Sequence, residues 1–394
     1  MTSDLCQFFT SDLCSESLVA AVAAIDPLCV IDVGAGHGSL TRAALRRWQG
    51  AQVTLMDVDP LALDVLQQKY PSASRVHVDL LRDKLPNPLG RWLDRADVVL
   101  CNPPFRTVEG HVADLWLKAA KMPIDWPDMV RCRAEMVFLA HNLRLLKNGG
   151  ELAMILPAMF VNGHVFEPFR AWLLETLTVT KVIQLPSLAF ANADVRAYAV
   201  IARKAAPPPG HRVQLLQYGD TQDLLTYRAI PTADGIKRLD PSFHVARSMH
   251  DGVPTLRDVD ASITRGKAVH ELKRLQVPYF HTTDFSGYEP GASAHFLHQD
   301  MNAKIPAARR GDILLGRVGR NCYLQVLGIA RGQAYFSDCV YKIKVPKEAF
   351  RAVLKSLADP RSVQWRASRL RGSTVALLSK SDLLEHPLWW EYFS

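Results

Sequence analysis

No apolar run in this 394-residue sequence reaches the ~18 residues that a membrane-crossing helix needs. Met1-Thr2-Ser3-Asp4 lacks the basic region of a secretory signal, so neither a membrane protein nor a secreted one is expected. Cysteine is sparse. There are seven, an odd number with no C-x-x-C pair, which fits neither a disulfide framework nor a zinc module. Reduced thiols, a cytoplasmic location and no metal site are the expectation. Internal repeats and low-complexity tracts are also missing.

The remaining composition is that of a protein with packed cores, at 48% apolar and 22% charged residues, and the length suits two domains. The net charge of +8 is uneven: residues 1–210 hold 21 Lys/Arg against 21 Asp/Glu, whereas residues 211–394 hold 26 against 18. That asymmetry suggests a polyanion-binding module behind a neutral one. A mildly basic surface with no partner is the plainer alternative.

Three prolines in Ala205-Ala206-Pro207-Pro208-Pro209-Gly210 stop helices and central strands, so this stretch reads as a linker. Before it, buried-type strands at 29–33, 52–57, 97–101 and 151–156 alternate with helical patterns at 40–48, after Pro60 and at 135–146. Such alternation predicts an α/β fold with a mostly parallel, doubly wound sheet. Ligands then bind at the carboxyl ends of the strands, and the residues just after each strand carry the information.

After the first strand comes Asp32-Val33-Gly34-Ala35-Gly36-His37-Gly38. Gly34, Gly36 and Gly38 let a ligand approach the backbone and let the turn take positive φ. The third glycine comes one residue too early for the G-x-G-x-x-G dinucleotide fingerprint, and no Gly-Lys-Ser/Thr follows to make a phosphate loop. A tight turn is the plain alternative. Asp57 closes the second strand, where a carboxylate can accept from ribose hydroxyls. Asp79 closes a third and can accept from the adenine amine; either acid can instead cap a helix. With no phosphate-binding feature nearby, the pattern favours a nucleoside such as S-adenosylmethionine.

Cys101-Asn102-Pro103-Pro104-Phe105 follows the strand at 97–101. The prolines fix the loop, so that the Asn102 amide oxygen and the Pro103 carbonyl can converge on an NH₂ group carrying two hydrogens. Holding both N–H bonds localises the nitrogen lone pair toward a methyl sulfonium, and Phe105 can stack on the ring that bears the amine. Positioning and electrostatics suffice, without metal or covalent nucleophile. A proline-rich turn capping a strand is the alternative.

On these residues, positions 5–204 resemble the gamma class of S-adenosylmethionine-dependent DNA adenine-N6 methyltransferases. Gln7-Phe8-Phe9-Thr10-Ser11 looks like the opening motif, which implies that Phe9 and Thr10 pack against the methionine part of the cofactor. Val30 to Gly38, including Asp32, is similar to the glycine motif; Asp57 and Asp79 match the ribose and adenine acids, and Asn102 to Phe105 the catalytic motif. Phe190 resembles the aromatic residue that supports a flipped-out base, with Ala191 where the family often has proline. The resemblance implies a Rossmann-like class I methyltransferase domain. Similar N-P-P-Phe/Tyr motifs occur in enzymes acting on a glutamine amide of release factors or on guanine in ribosomal RNA, so the second half must decide.

From residue 241 the chain resembles a target-recognition domain of type I restriction specificity subunits. The matching pieces are Leu256–Val259 with Ile263–Lys267, Val277–Phe285, Gly311–Arg320 and Arg371–Leu383. This implies an α+β domain. Arg317 and Arg320 lie in a Gly-rich stretch expected to form an exposed hairpin, where arginine can fork onto guanine or phosphate. Lys267, Thr282 and Arg106 are further candidate DNA contacts, with solvated surface roles as the alternative. Glu271-Leu272-Lys273 has the E-x-K form of a nuclease site, but falls in a segment read as a recognition-domain loop, so no nuclease is expected in this chain.

The sequence is therefore expected to comprise a methyltransferase catalytic domain at 1–204, a linker and connecting segment at 205–240, and a DNA target-recognition domain at 241–394. The expected activity is methyl transfer to N6 of a flipped-out adenine in double-stranded DNA, with a separately encoded restriction endonuclease as partner. The loop from Arg106 to Trp126 is expected to lie over the flipped base and to order only on DNA. The alternatives are a methyltransferase for RNA or a protein glutamine amide, and an inactive DNA-binding specificity protein.

Overall fold

The computed structural model describes residues 12–82, 87–186, 195–218, 224–248, 252–296, 305–372 and 375–392. It divides into two units, Met1–Pro241 and Ser242–Ser394.

Among the described residues the first unit is built on nine strands: β1 (Cys29–Val33), β2 (Gln52–Asp57), β3 (Ser74–His77), β4 (Ala96–Cys101), β5 (Leu146–Pro157), β6 (Thr178–Gln184), β7 (Ala197–Arg203), β8 (Arg212–Tyr218) and β9 (Leu224–Pro231). Their order in the sheet is β3-β2-β1-β4-β5-β7-β6-β8-β9. The run from β3 to β5 is parallel, and β7 enters antiparallel to both β5 and β6. The helices are α1 (Asp12–Ala21), α2 (Ser39–Arg47), α3 (Pro60–Lys69), α4 (Gly110–Ala119), α5 (Asp128–Arg131), α6 (Ala134–Leu145), α7 (Ala158–Asn162), α8 (Glu167–Thr176), α9 (Thr232–Lys237) and α10 (Pro241–Ser248), the last spanning the division.

Alternation along the strands separates two cores. Ile31, Val33, Val99 and Cys101 pack with α4, α6 and α8, whereas Val30, Val98 and Leu100 pack with α1, α2 and α3. Successive side chains of a strand point to opposite faces, so a continuous apolar run feeds helices on both sides. The expected α/β doubly wound fold is present.

Two expectations are corrected. Residues 205–240 are not a connecting segment: β8 pairs in parallel with β6, with Val182 opposite Leu215, and β9 pairs with β8. Val213 and Leu215 are fully buried in the same core, so the proline stretch is a turn inside the sheet rather than a domain edge. The unit runs on to Pro241, held there by buried Arg170, which donates to the carbonyls of Ile236 and Lys237 at 2.8 Å each. The second correction concerns 106–126. This is not an open loop but carries α4, with Val112, Trp116, Leu117 and Trp126 buried and the Trp116 indole donating to the Arg82 carbonyl at 2.8 Å.

The second unit is α+β. A five-stranded sheet has the order β10-β17-β14-β15-β12 and a three-stranded sheet the order β11-β16-β13. The strands are β10 (Ser262–Arg265), β11 (Tyr279–Phe280), β12 (Ala292–His295), β13 (Ala307–Arg309), β14 (Asp312–Gly316), β15 (Val326–Arg331), β16 (Gln333–Phe336) and β17 (Val340–Lys344). Helices α11 (Val269–Arg274), α12 (Phe350–Ala358), α13 (Pro360–Arg369) and α14 (Lys380–Leu384) complete it. Residues 242–394 hold 22 Lys/Arg against 14 Asp/Glu, so the whole excess of positive charge stays in this unit after the boundary moves.

Candidate active site

Parallel strands aim their carboxyl ends at one edge of the sheet, and there the loops after β1, β2, β3 and β4 line a cleft enclosing about 950 Å³, including its open mouth. Gly34, Gly36, Asp57, Asp79 and Asn102, singled out from sequence, all line it. Pro104, Arg106 and Phe138 also line it.

Gly34 has φ +76°, and a Cβ there would sit 3.4 Å from the Phe138 ring and 3.7 Å from the Asn102 carbonyl. Asp57 is 4% exposed; its Oδ2 accepts from the Gly36 amide at 2.8 Å and its Oδ1 from the Asp59 amide at 2.9 Å. It therefore shapes the glycine turn as well as facing the cleft, and lone pairs remain on both oxygens for hydroxyl donors. The neighbouring Asp59 is the residue that caps α3, accepting from Leu61 at 2.9 Å. Asp79 accepts from the Leu81 amide at 3.0 Å, which turns the chain after β3.

Asp32 and Gly38 sit behind the cleft rather than on it. The Asp32 side chain faces α2, where Thr41 Oγ1 donates to its Oδ2 at 2.5 Å. Burial pushes its carboxyl up to about 7, against the lowering effect of the Thr41 bond. Gly38 takes φ +76° as the N-cap of α2, and a Cβ would run into the Leu66 side chain, so its glycine serves the packing of α2 on α3. Within the N-P-P-F stretch, Pro103 is buried and Phe105 is partly buried against the α1–α3 core. Phe9, Thr10 and Phe190 lie outside the described residues.

Phe138 and Arg106 as cleft walls were not read from sequence. Phe138 lies on a helix of almost wholly buried residues, and nothing in that pattern separates a core ring from a ligand-facing one.

In the second unit, β14 and β15 form the expected hairpin, with Leu315 opposite Val326. Arg320 is exposed in its connection and lines a groove together with Thr282, Asn321 and Gln325. Arg317 is held inward: its Nη1 donates to the Asp338 carbonyl at 2.9 Å and its guanidinium lies 5.8 Å from the Tyr341 ring centroid. Lys267 pairs with Glu271 at 2.7 Å on α11. That pairing takes up the acid of the E-x-K string, and among the described residues no cluster has metal-ligand character.

Residues 9–122 match the methyltransferase small domain family, and residues 69–233 match the N-6 DNA methylase family. A type IIG restriction endonuclease, BpuSI, aligns over 95% of this chain and 57% of its own, with TM-score 0.52 and 12% identity, which is a likeness of fold. The methyltransferase small domain match spans β1 to β4, the strands whose loops line the cleft. Among curated relatives, the chain is similar to type II methyltransferase M.BsuBI of Bacillus subtilis, 26% identical over 199 residues, covering 45% of this chain and 38% of the relative. Ribosomal RNA large subunit methyltransferase G of Pseudoalteromonas translucida is 33% identical over 103 residues, covering 23% of this chain and 25% of the relative. The chain thus spans under two-fifths of the length of both relatives.

S-adenosylmethionine is the cofactor that both family matches imply, and the cleft fits it. The side-chain-free approach at Gly34 and the acids at the ends of β2 and β3 are the features a nucleoside needs. No described helix is long and apolar enough to cross a membrane.

Proposed function

We propose that this chain is a DNA methyltransferase modifying adenine at N6, the modification enzyme of a restriction–modification system. The observation that carries the reading is that Asn102, at the end of β4, faces the same cleft as Gly34, Asp57 and Asp79. The N-6 DNA methylase match across 69–233 supports it.

S-adenosylmethionine supplies the methyl group when bound. Asp57 holds the ribose hydroxyls and Asp79 the adenine amine. The Asn102 amide oxygen and the Pro103 carbonyl accept the two N–H bonds of the acceptor amine, which turns its lone pair toward the methyl donor. Phe105 stacks on the acceptor ring, Phe190 supports it, and Phe9 and Thr10 pack on the cofactor. An adenine inside a duplex is stacked out of reach, so the base is flipped outward, at a cost on the order of a few kcal/mol. The basic second unit is the target-recognition domain, with Lys267, Thr282 and Arg320 toward DNA and Arg317 bracing the hairpin from within, and a restriction endonuclease on a separate chain is the functional partner.

The test is transfer of labelled methyl to duplex DNA, ribosomal RNA and protein in parallel, followed by nucleoside analysis. N6-methyladenine in duplex DNA supports the proposal. Label confined to RNA, the reading that the similarity to a ribosomal RNA methyltransferase favours, overturns it.

A further inference from the structure

Among the described residues lining the cofactor cleft, Arg106 is the one permanent cation. Its backbone is clamped. The Arg106 carbonyl accepts from the Ala134 amide at 2.9 Å, Thr107 bridges to Arg133, and Val108 donates to the Cys132 carbonyl at 3.1 Å. The residue is therefore fixed to the start of α6, the helix that carries Phe138 into the cleft. The side chain is partly buried, and its Nε is buried with no hydrogen-bond partner among the described residues. A guanidinium held at the wall of a cleft presents N–H donors in a fixed fork to whatever the cleft binds.

The location narrows the acceptor. His141 Nε2 lies 3.0 Å from the Leu80 carbonyl and the Trp116 indole donates to Arg82, so the turn after β3 is tied to the same α4–α6 layer that anchors Arg106. Leu80, Leu81, Pro104 and Phe138 give this side of the cleft an apolar character suited to a flat ring, beside Asp79.

We propose that Arg106 donates a hydrogen bond to a ring nitrogen of the cofactor's adenine, Asp79 taking the exocyclic amine. Arg106 then belongs to cofactor recognition rather than to the DNA surface. The inference rests on the cleft being the S-adenosylmethionine site.

The test is calorimetric binding to the full chain of S-adenosylhomocysteine, of 5′-methylthioadenosine, which lacks the carboxylate, and of the 1-, 3- and 7-deaza forms of S-adenosylhomocysteine. The wild type is expected to lose roughly tenfold affinity for one deaza form, as one hydrogen bond to a charged donor is worth. Arg106→Met is expected to weaken both parent ligands by a similar factor and to abolish the discrimination against that deaza form. Equal wild-type binding of all three deaza forms overturns the inference, and it does so even if Arg106→Met fails to fold. A loss confined to S-adenosylhomocysteine overturns it in favour of a carboxylate contact, and unchanged ligand binding with weakened DNA binding overturns it in favour of a DNA contact. A wild type that binds none of these ligands overturns the cofactor site itself, whereas binding by the wild type and the variant alike overturns only the role of Arg106.

Discussion

Gly34 and Asn102 are the first residues beyond two neighbouring parallel strands, and a Cβ on Gly34 would lie 3.7 Å from the Asn102 carbonyl. The register that places Val33 opposite Cys101 is what brings the glycine turn and the N-P-P-F loop to one cleft.

Gly34→Ala should therefore disturb both loops. A left-handed backbone costs a non-glycine residue about 1–2 kcal/mol, and the new methyl meets the Phe138 ring at 3.4 Å. Thermal unfolding should shift down modestly and S-adenosylhomocysteine affinity should fall more than stability does. Unchanged affinity would show that the ligand does not approach Gly34.

Asn102→Ala and Asp57→Ala should separate by role. Removing Asn102 should abolish methyl transfer and leave cofactor binding largely intact. Removing Asp57 should weaken cofactor binding and also lower the melting temperature, because the Gly36 and Asp59 amides lose their acceptor. Calorimetry and melting curves of the two variants provide the comparison, and equal cofactor loss in both would contradict the division.

Asp32 makes stability depend on pH. Its carboxyl is raised from the ordinary value of 3.8 to about 7 by burial, so between those values the folded state holds a proton that the unfolded state has released. The contribution is fully present below pH 3.8 and is lost as pH rises through about 7. Asp32→Asn should flatten the decline in stability across that window, measured by denaturant unfolding at a series of pH values. A slope identical to wild type would rule out Asp32 as its source.

The sheet makes a truncation test sharp. A fragment of residues 1–241 keeps β8 and β9 and should fold and bind S-adenosylhomocysteine while losing DNA retention, because it carries none of the excess positive charge. A fragment ending at residue 204 strips β8 from β6 and should aggregate or melt far lower, since an exposed edge strand invites pairing. Equal behaviour of the two fragments by scattering and thermal melting would contradict the placement of β8.

Arg320→Ala and Arg317→Ala should differ as well. Arg320 is exposed on the hairpin, so its loss should leave stability unchanged and reduce DNA affinity, either at one base by about 1–3 kcal/mol or across all sequences with a flatter salt dependence. Arg317 braces the Asp338 carbonyl and the Tyr341 ring, so its loss should lower stability first. Binding to single-base site variants across a salt series, beside melting curves, separates the two.

The sequence by itself determined the strand-end pattern. Gly34, Gly36, Asp57, Asp79 and Asn102 were legible because each lies at or just beyond the carboxyl end of a strand, and the chemistry of such a position is written in adjacent residues. The alternation of strands and helices likewise fixed the doubly wound sheet. Tertiary structure alone decided the rest. The Glu151 carboxylate accepts from the Ala23 amide across 128 residues, β6 takes β8 as its neighbour past three prolines, and Arg106 turns into the cofactor cleft because α6 clamps its backbone. The apolar residues of α4 bury themselves on α6 although they follow the N-P-P-F loop, and the Arg317 guanidinium finds a carbonyl before it finds solvent. In each case the deciding partner lies far along the chain, where local spacing carries no trace of which group will satisfy a buried donor or cover an apolar face.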